Sequence, residues 1–211
     1  VGSARAGLNS ELSFGAQTNA GTYSINAINA VTGCTSTMVG SAPVTINPLP
    51  TAYSVTGGGS YCAGGSGMLV GLTGSQSGVN YQLYNGAFPV GVPIAGTGGS
   101  LDFGLITGSG TYTVVATNTS TLCSSNMTGS PSIVVNPLPA VFTVTGGGAY
   151  CAGGPGVHIG LNNSSVGVNY QLLLGGVTPV GTAIGGTGAA LDFGFITVAG
   201  TYTVKATDAV T

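Results

Sequence analysis

Apolar and polar residues alternate along this chain in short runs that recur about every ten residues. Met68, Val70 and Leu72 share one side of a two-residue period, as do Val79, Tyr81 and Leu83. A period of two belongs to a half-buried β-strand. Between Asn47 and Val135 the pattern predicts seven strands: Ala52–Thr56, Met68–Leu72, Val79–Tyr84, Pro89–Ile94, Leu101–Phe103, Thr111–Thr117 and Ser132–Val135. Two prolines in Pro89–Ile94 place that strand at a sheet edge. Asn85-Gly86 tolerates positive φ at both residues and predicts a tight hairpin turn before it. No helix is predicted, because the 3.6-residue period is missing and Gly and Pro interrupt every stretch. Seven short antiparallel strands in a unit of this size predict an all-β fold of the immunoglobulin-like β-sandwich class.

The pattern repeats. Asn47-Pro-Leu-Pro50 returns as Asn136-Pro-Leu-Pro139, 89 residues later. Thr56-Gly-Gly-Gly59 returns as Thr145-Gly-Gly-Gly148, and Val79-Asn-Tyr-Gln-Leu83 as Val168-Asn-Tyr-Gln-Leu172. Leu101-Asp-Phe-Gly104 and Gly110-Thr-Tyr-Thr113 return at Leu191 and Gly200, and partial copies open the chain at Leu12 and Gly21. A period of this length is a small domain rather than a solenoid turn. The expected organisation is therefore residues 1–46 as the C-terminal part of one repeat, 47–135 as a complete repeat, and 136–211 as a repeat lacking its last strand. From Pro179 onward the spacing is 90, so one residue is inserted where Asn85-Gly86 becomes Leu174-Gly175-Gly176. A surface hairpin turn absorbs such an insertion with least disturbance. Tyr23, Tyr112 and Tyr202 each follow the Gly-Thr that opens the sixth strand. That position suits either a tyrosine corner or an ordinary half-buried strand tyrosine. Pro48, Pro50, Pro137 and Pro139 fix φ in the linkers and predict stiff, extended joints.

Composition narrows the function classes. Only 3% of residues are charged, and Arg5 and Lys205 are the only basic side chains. Two cations cannot neutralise a run of phosphates or form a polybasic membrane patch, which argues against nucleic-acid binding and membrane binding. No apolar run reaches 18 residues, so membrane insertion is not expected. The 40 glycines follow no triplet period, which excludes a collagen-like fibre. A polar but nearly uncharged surface lacks the repulsion that keeps soluble proteins apart and suits self-packing.

The four cysteines occupy two repeated positions. Cys62 and Cys151 precede the second strand, and Cys34 and Cys123 lie in the final hairpin. They are not clustered as metal ligands are, and the single histidine, His158, offers no repeated base for a nucleophile. Disulfides in an oxidising compartment are the expected role. Two pairings stand open. Cys62 with Cys123 would close a loop inside one repeat and contribute roughly 4 kcal/mol. Alternatively the two positions lie at opposite ends of a sandwich and bond across a joint to the neighbouring repeat.

His158 replaces Leu69 on the outward side of the second strand and reads as a surface residue with no repeated partner. Asp102 and Asp192 stand one per repeat, too far apart for a glycosidase pair, and four acidic residues cannot build a calcium cage. Thr56-Gly-Gly-Gly59 lacks the lysine and helix of a phosphate loop. Asn118, Asn126 and Asn163 head glycan-acceptor triplets that a Ser/Thr-rich chain produces by chance. No catalytic residue, metal site or cofactor is expected, and the chain does not read as an enzyme.

The motifs Asn-Pro-Leu-Pro, Thr-Gly-Gly-Gly-x-Tyr-Cys-Ala-Gly-Gly, Val-Asn-Tyr-Gln-Leu and Ala-Gly-Thr-Tyr-Thr-Val-x-Ala-Thr resemble the tandem Ig-like or PKD-like repeats of giant surface proteins of Bacteroidetes-type bacteria, gliding-motility adhesins among them. The resemblance implies export and an extracellular or cell-surface location. It implies a structural role as a filament, stalk or stiff spacer, with further copies of the same repeat as partners. The alternative is a glycan- or surface-binding module. Tyr84 and Phe88 become Leu173 and Thr178 in the next copy, so Tyr61 and its counterpart Tyr150 are the better contact candidates. The chain begins and ends inside a repeat. This predicts either a longer polymer or strand donation from one chain to the next.

Overall fold

The structure, a computed structural model, describes residues 2–209. Strands and turns account for the regular structure, with no helix among the described residues. The opening part contributes two small ladders. β1 (Gly21–Tyr23) pairs with β4 (Ala42–Val44), and β2 (Asn26–Ile28) pairs with β3 (Thr35–Thr37).

The middle unit is a complete sandwich. It comprises β5 (Val55–Gly57), β6 (Gly59–Cys62), β7 (Met68–Leu72), β8 (Val79–Asn85), β9 (Phe88–Ala95), β10 (Leu101–Ile106), β11 (Gly110–Asn118), β12 (Ser124–Asn126) and β13 (Ser132–Asn136). One sheet runs β10-β7-β5; the other runs β6-β13-β11-β8-β9, with β12 also on β11. Val70 and Leu72 from the first sheet meet Tyr81, Leu83 and Val114 from the second, all buried. The two-residue alternation produces this, since each strand turns one row of side chains inward.

The closing unit repeats the plan with β14 (Val144–Gly146), β15 (Val157–Leu161), β16 (Val168–Leu174), β17 (Thr178–Gly185), β18 (Leu191–Ile196) and β19 (Tyr202–Asp208). Its sheets run β14-β15-β18 and β17-β16-β19. Nothing pairs with the outer edge of β19 among the described residues.

The repeated motifs have structural causes. In Val79-Asn-Tyr-Gln-Leu83 the odd positions are core residues. Gln82 Nε2 donates to the Val90 carbonyl at 3.0 Å, where the β8–β9 register slips between Tyr81 and Leu83. Gln171 does the same with Val180 at 3.0 Å. In Leu101-Asp-Phe-Gly104, Asp102 Oδ1 accepts the Gly104 amide at 2.6 Å and closes a bulge in which Gly104 takes φ 85°. A bulge residue at positive φ favours glycine. The same Asp and Gly therefore return at 192 and 194.

Three expectations need correction. The first strand begins at Val55, not Ala52. The amides ahead of it bond to side chains instead, Thr51 to Gln76 Oε1 at 2.6 Å and Ser54 to Thr73 Oγ1 at 3.1 Å. Gly59–Cys62, whose glycines obscured it, is a strand. It runs parallel to β13, and the positive φ angles of Gly57 and Gly58 let the chain cross from one sheet to the other just before it. The hairpin turn is Gly86-Ala87 rather than Asn85-Gly86, because Asn85 still pairs with Phe88. The inserted residue of the closing unit does lie in this turn, which becomes Gly175-Gly176-Val177 between the paired Leu174 and Thr178.

Candidate functional site

The middle unit has two distinct ends, and its candidate residues gather at them. Thr51 enters beside the β7–β8 loop through its bond to Gln76. The β11–β12 hairpin closes the same end, with the Thr119 amide bonded to the Gly78 carbonyl at 3.0 Å. Polar groups stiffen this entry end. Ser75 Oγ donates to the Gly99 carbonyl at 2.6 Å and accepts the Thr97 amide at 3.0 Å, while the Tyr81 hydroxyl accepts the Gln76 amide at 2.8 Å. Ser164 and Tyr170 repeat these contacts. At the other end β13 leads out to Asn136, which lies beside Cys62 in the parallel ladder; the Ala63 amide bonds to the Asn136 carbonyl at 2.8 Å. The chain thus leaves opposite to where it entered. Pro50 is buried and Pro139 half-buried against their units, whereas Pro48 and Pro137 are exposed.

The cysteines divide between these ends. Cys123 sits in the entry-end hairpin, which is held by Asn118. The Asn118 Oδ1 accepts the amides of Ser120 and Thr121, both at 3.0 Å, and its amide donates to the Cys123 carbonyl at 2.9 Å. Asn29 holds the Cys34 hairpin in the same way. Cys62 lies at the exit end, beyond the Gly110 end of β11. The length of β11 therefore separates Cys62 from Cys123 by on the order of 30 Å, where a disulfide needs Cα atoms within about 7 Å. This removes the pairing inside one repeat. All four thiols are free in the structure.

Tyr61 is half-buried and Tyr150 exposed, and the hydroxyl of each is bonded within its own unit. Tyr61 packs against the core, and its hydroxyl donates to the Thr107 carbonyl; the Tyr150 hydroxyl donates to the Thr197 carbonyl. Each ties the β6 region, or its counterpart, to the loop after β10 or β18.

His158 is exposed on the outer face, as its alternation requires, but it has partners. Its Nδ1 lies 2.7 Å from Asp192 Oδ2, and its ring lies 3.9 Å from that of Phe195. The His158 hydrogen bond, followed by the Gly194 amide, holds the Asp192 carboxyl below its ordinary value. In the middle unit the matching positions are Leu69, Asp102 and Leu105. A reading of single strands hid this cluster, because His158 and Phe195 meet only through the β15–β18 register. The available signal was the joint change of Leu69 and Leu105 to His and Phe.

No group of three or more metal-ligating side chains occurs among the described residues, and no helix there is long and apolar enough to cross a membrane. Comparison with protein-family models and with curated proteins gives no match to this chain.

Proposed function

We propose that this chain is the structural repeat region of an extracellular filament, stalk or surface adhesin, acting as a stiff spacer built from immunoglobulin-like units. The observation that carries this reading is the arrangement of the middle unit, where the chain enters at one end and leaves at the other. Units joined this way by a short two-proline linker add length rather than bulk. The nearly uncharged surface supports the same reading, since it offers copies of the repeat little repulsion. The placement of Cys62 and Cys123 at opposite ends suits disulfides across joints in an oxidising compartment. The engaged hydroxyls of Tyr61 and Tyr150 favour a mechanical role for those side chains over a glycan contact. Small-angle scattering tests the reading. A rod with a rise of roughly 40 Å per repeat is expected, from strands of about 20 Å plus turns and linker. A compact particle would count against it.

A further inference from the structure

Asn85-Gly86 is the one Asn-Gly pair in the sequence. Asparagine is among the chemically labile residues, and a glycine after it leaves the next backbone nitrogen unhindered. In a free chain that nitrogen attacks the side-chain carbonyl carbon. The bond from Gly86 N to Asn85 Cγ forms, the Cγ–Nδ2 bond breaks, and ammonia leaves with the proton of the Gly86 amide. Water then opens the cyclic imide at either carbonyl and leaves an aspartate or an isoaspartate. Water is the only co-reactant, and nothing is oxidised or reduced.

The folded middle unit restrains both reacting groups. Asn85 closes β8 and is paired on both sides, with Tyr112 on β11 and with Phe88 on β9. Ring closure requires the backbone at Asn85 to leave this extended form. The leaving nitrogen, Nδ2, donates to the Ser109 carbonyl at 3.0 Å and lies 3.3 Å from the Tyr112 hydroxyl. The attacking nitrogen is engaged as well, since the Gly86 amide donates to the Thr111 carbonyl at 3.3 Å. The carboxamide lies so close over Gly110 that a Cβ there would overlap it. The closing unit has Leu174 at this place, packed over Gly200, with the Gly175 amide bonded to the Thr201 carbonyl at 2.8 Å. Its leucine offers no carboxamide to cyclise.

We propose that Asn85 is a modification site gated by folding: inert in the closed middle unit, it cyclises and deamidates when the β8–β11 corner opens. The product marks the unit. An aspartate at 85 places an acceptor oxygen where Nδ2 donates, against the Ser109 carbonyl. An isoaspartate also lengthens the main chain by a methylene at the end of β8, so the residue no longer pairs in register with both Tyr112 and Phe88. The unit therefore re-forms weaker than before, and its opening leaves a covalent record. Opening by heat, by denaturant or by load exposes the same pair, so the site does not depend on the filament role.

Peptide mapping by mass spectrometry tests this on the 211-residue chain, incubated in mildly alkaline buffer with and without urea. A reaction confined to the open form runs in proportion to the open population. Conversion at Asn85 should be at least about tenfold slower in the folded chain than in urea. Tyr112→Phe, which removes one partner of Nδ2, should raise the folded rate roughly fivefold. After conversion in urea and return to buffer, the middle unit should melt below that of a chain refolded without the incubation. Asn85→Leu, which copies the closing unit, should regain its own starting midpoint after the same treatment. Conversion at one rate with and without urea would overturn the proposal. So would an absence of conversion at Asn85 in urea, or a converted chain that regains the midpoint of the unconverted one.

Discussion

The hydroxyl of Tyr112 donates to the carbonyl of Gly108, four residues upstream, at 2.7 Å. The same bond runs from Tyr202 to Val198 at 2.7 Å and from Tyr23 to Asn19 at 2.9 Å. It ties the start of β11 to the loop before it, as the tyrosine corner of immunoglobulin-like sandwiches does. Asn85 adds a second bond in the middle unit, its Nδ2 lying 3.3 Å from the Tyr112 hydroxyl and 3.0 Å from the Ser109 carbonyl. Tyr112→Phe keeps the ring packing and removes only the hydroxyl. Chemical denaturation should show a loss of about 1–2 kcal/mol from the middle unit. An unchanged midpoint would mean that the corner contributes nothing.

Leu122 is a non-glycine residue with positive φ, 59°, at the position where the opening part has Gly33 with φ 72°. It is exposed, so its side chain gains little by packing. Left-handed backbone costs an L-residue roughly 1–2 kcal/mol, partly offset because glycine frees the unfolded chain. Leu122→Gly should therefore stabilise the middle unit by about 0.5–1 kcal/mol, read as an upward shift of its melting midpoint. A downward shift would show that Leu122 makes a contact worth more than the strain.

Burial pushes the Tyr81 and Tyr112 hydroxyls above their ordinary value. Hydrogen bonds from Gln76 and Asn85 oppose the shift without cancelling it, and neighbouring Tyr53 and Tyr61 add to it. Each group holds its proton more tightly folded than unfolded. Their contribution is intact below the unfolded value near pH 10 and is lost as pH rises through the folded values. Urea midpoints should be level with respect to these two groups through neutral pH and fall above about pH 10. The fall should be shallower in Tyr81→Phe. Asp192 works in the opposite direction. Its depressed value contributes a stability present above its unfolded value and lost as pH falls through the folded one. Both partners of that pair are largely exposed, so the acid effect should be small.

Oxidation separates the two cysteine arrangements. When the folded chain is oxidised and digested without reduction, mass spectrometry should find no Cys62–Cys123 link within one chain. Links between the ends of different units, joining Cys62 or Cys151 to Cys34 or Cys123 of another copy, are the expected products. A Cys62–Cys123 link formed without unfolding would contradict the end-to-end separation.

Strand positions were legible wherever alternation marked one buried row, as at Val79, Tyr81 and Leu83. The insertion at Gly175-Gly176 was legible because only a turn accepts an extra residue without moving side chains across the sheet. What escaped were features set by long-range pairing. β6 is a glycine-led strand whose partner, β13, lies some seventy residues away, and no local pattern announces it. The bulge roles of Asp102 and Gln82 depend on register slips that a single strand does not reveal. The cysteine positions were visible, but their separation required the direction of β13 relative to β11.

The parallel ladder between β6 and β13 has a mechanical consequence. β6 lies near the start of the unit and β13 at its close, and both run toward the exit end. Tension applied through the linkers draws the two strands in opposite senses along their shared axis. Their hydrogen bonds are then loaded in shear, all together, instead of being peeled open one by one. Four residue pairs, Gly59 with Ile133 through Cys62 with Asn136, act as a clamp whose failure must be concerted.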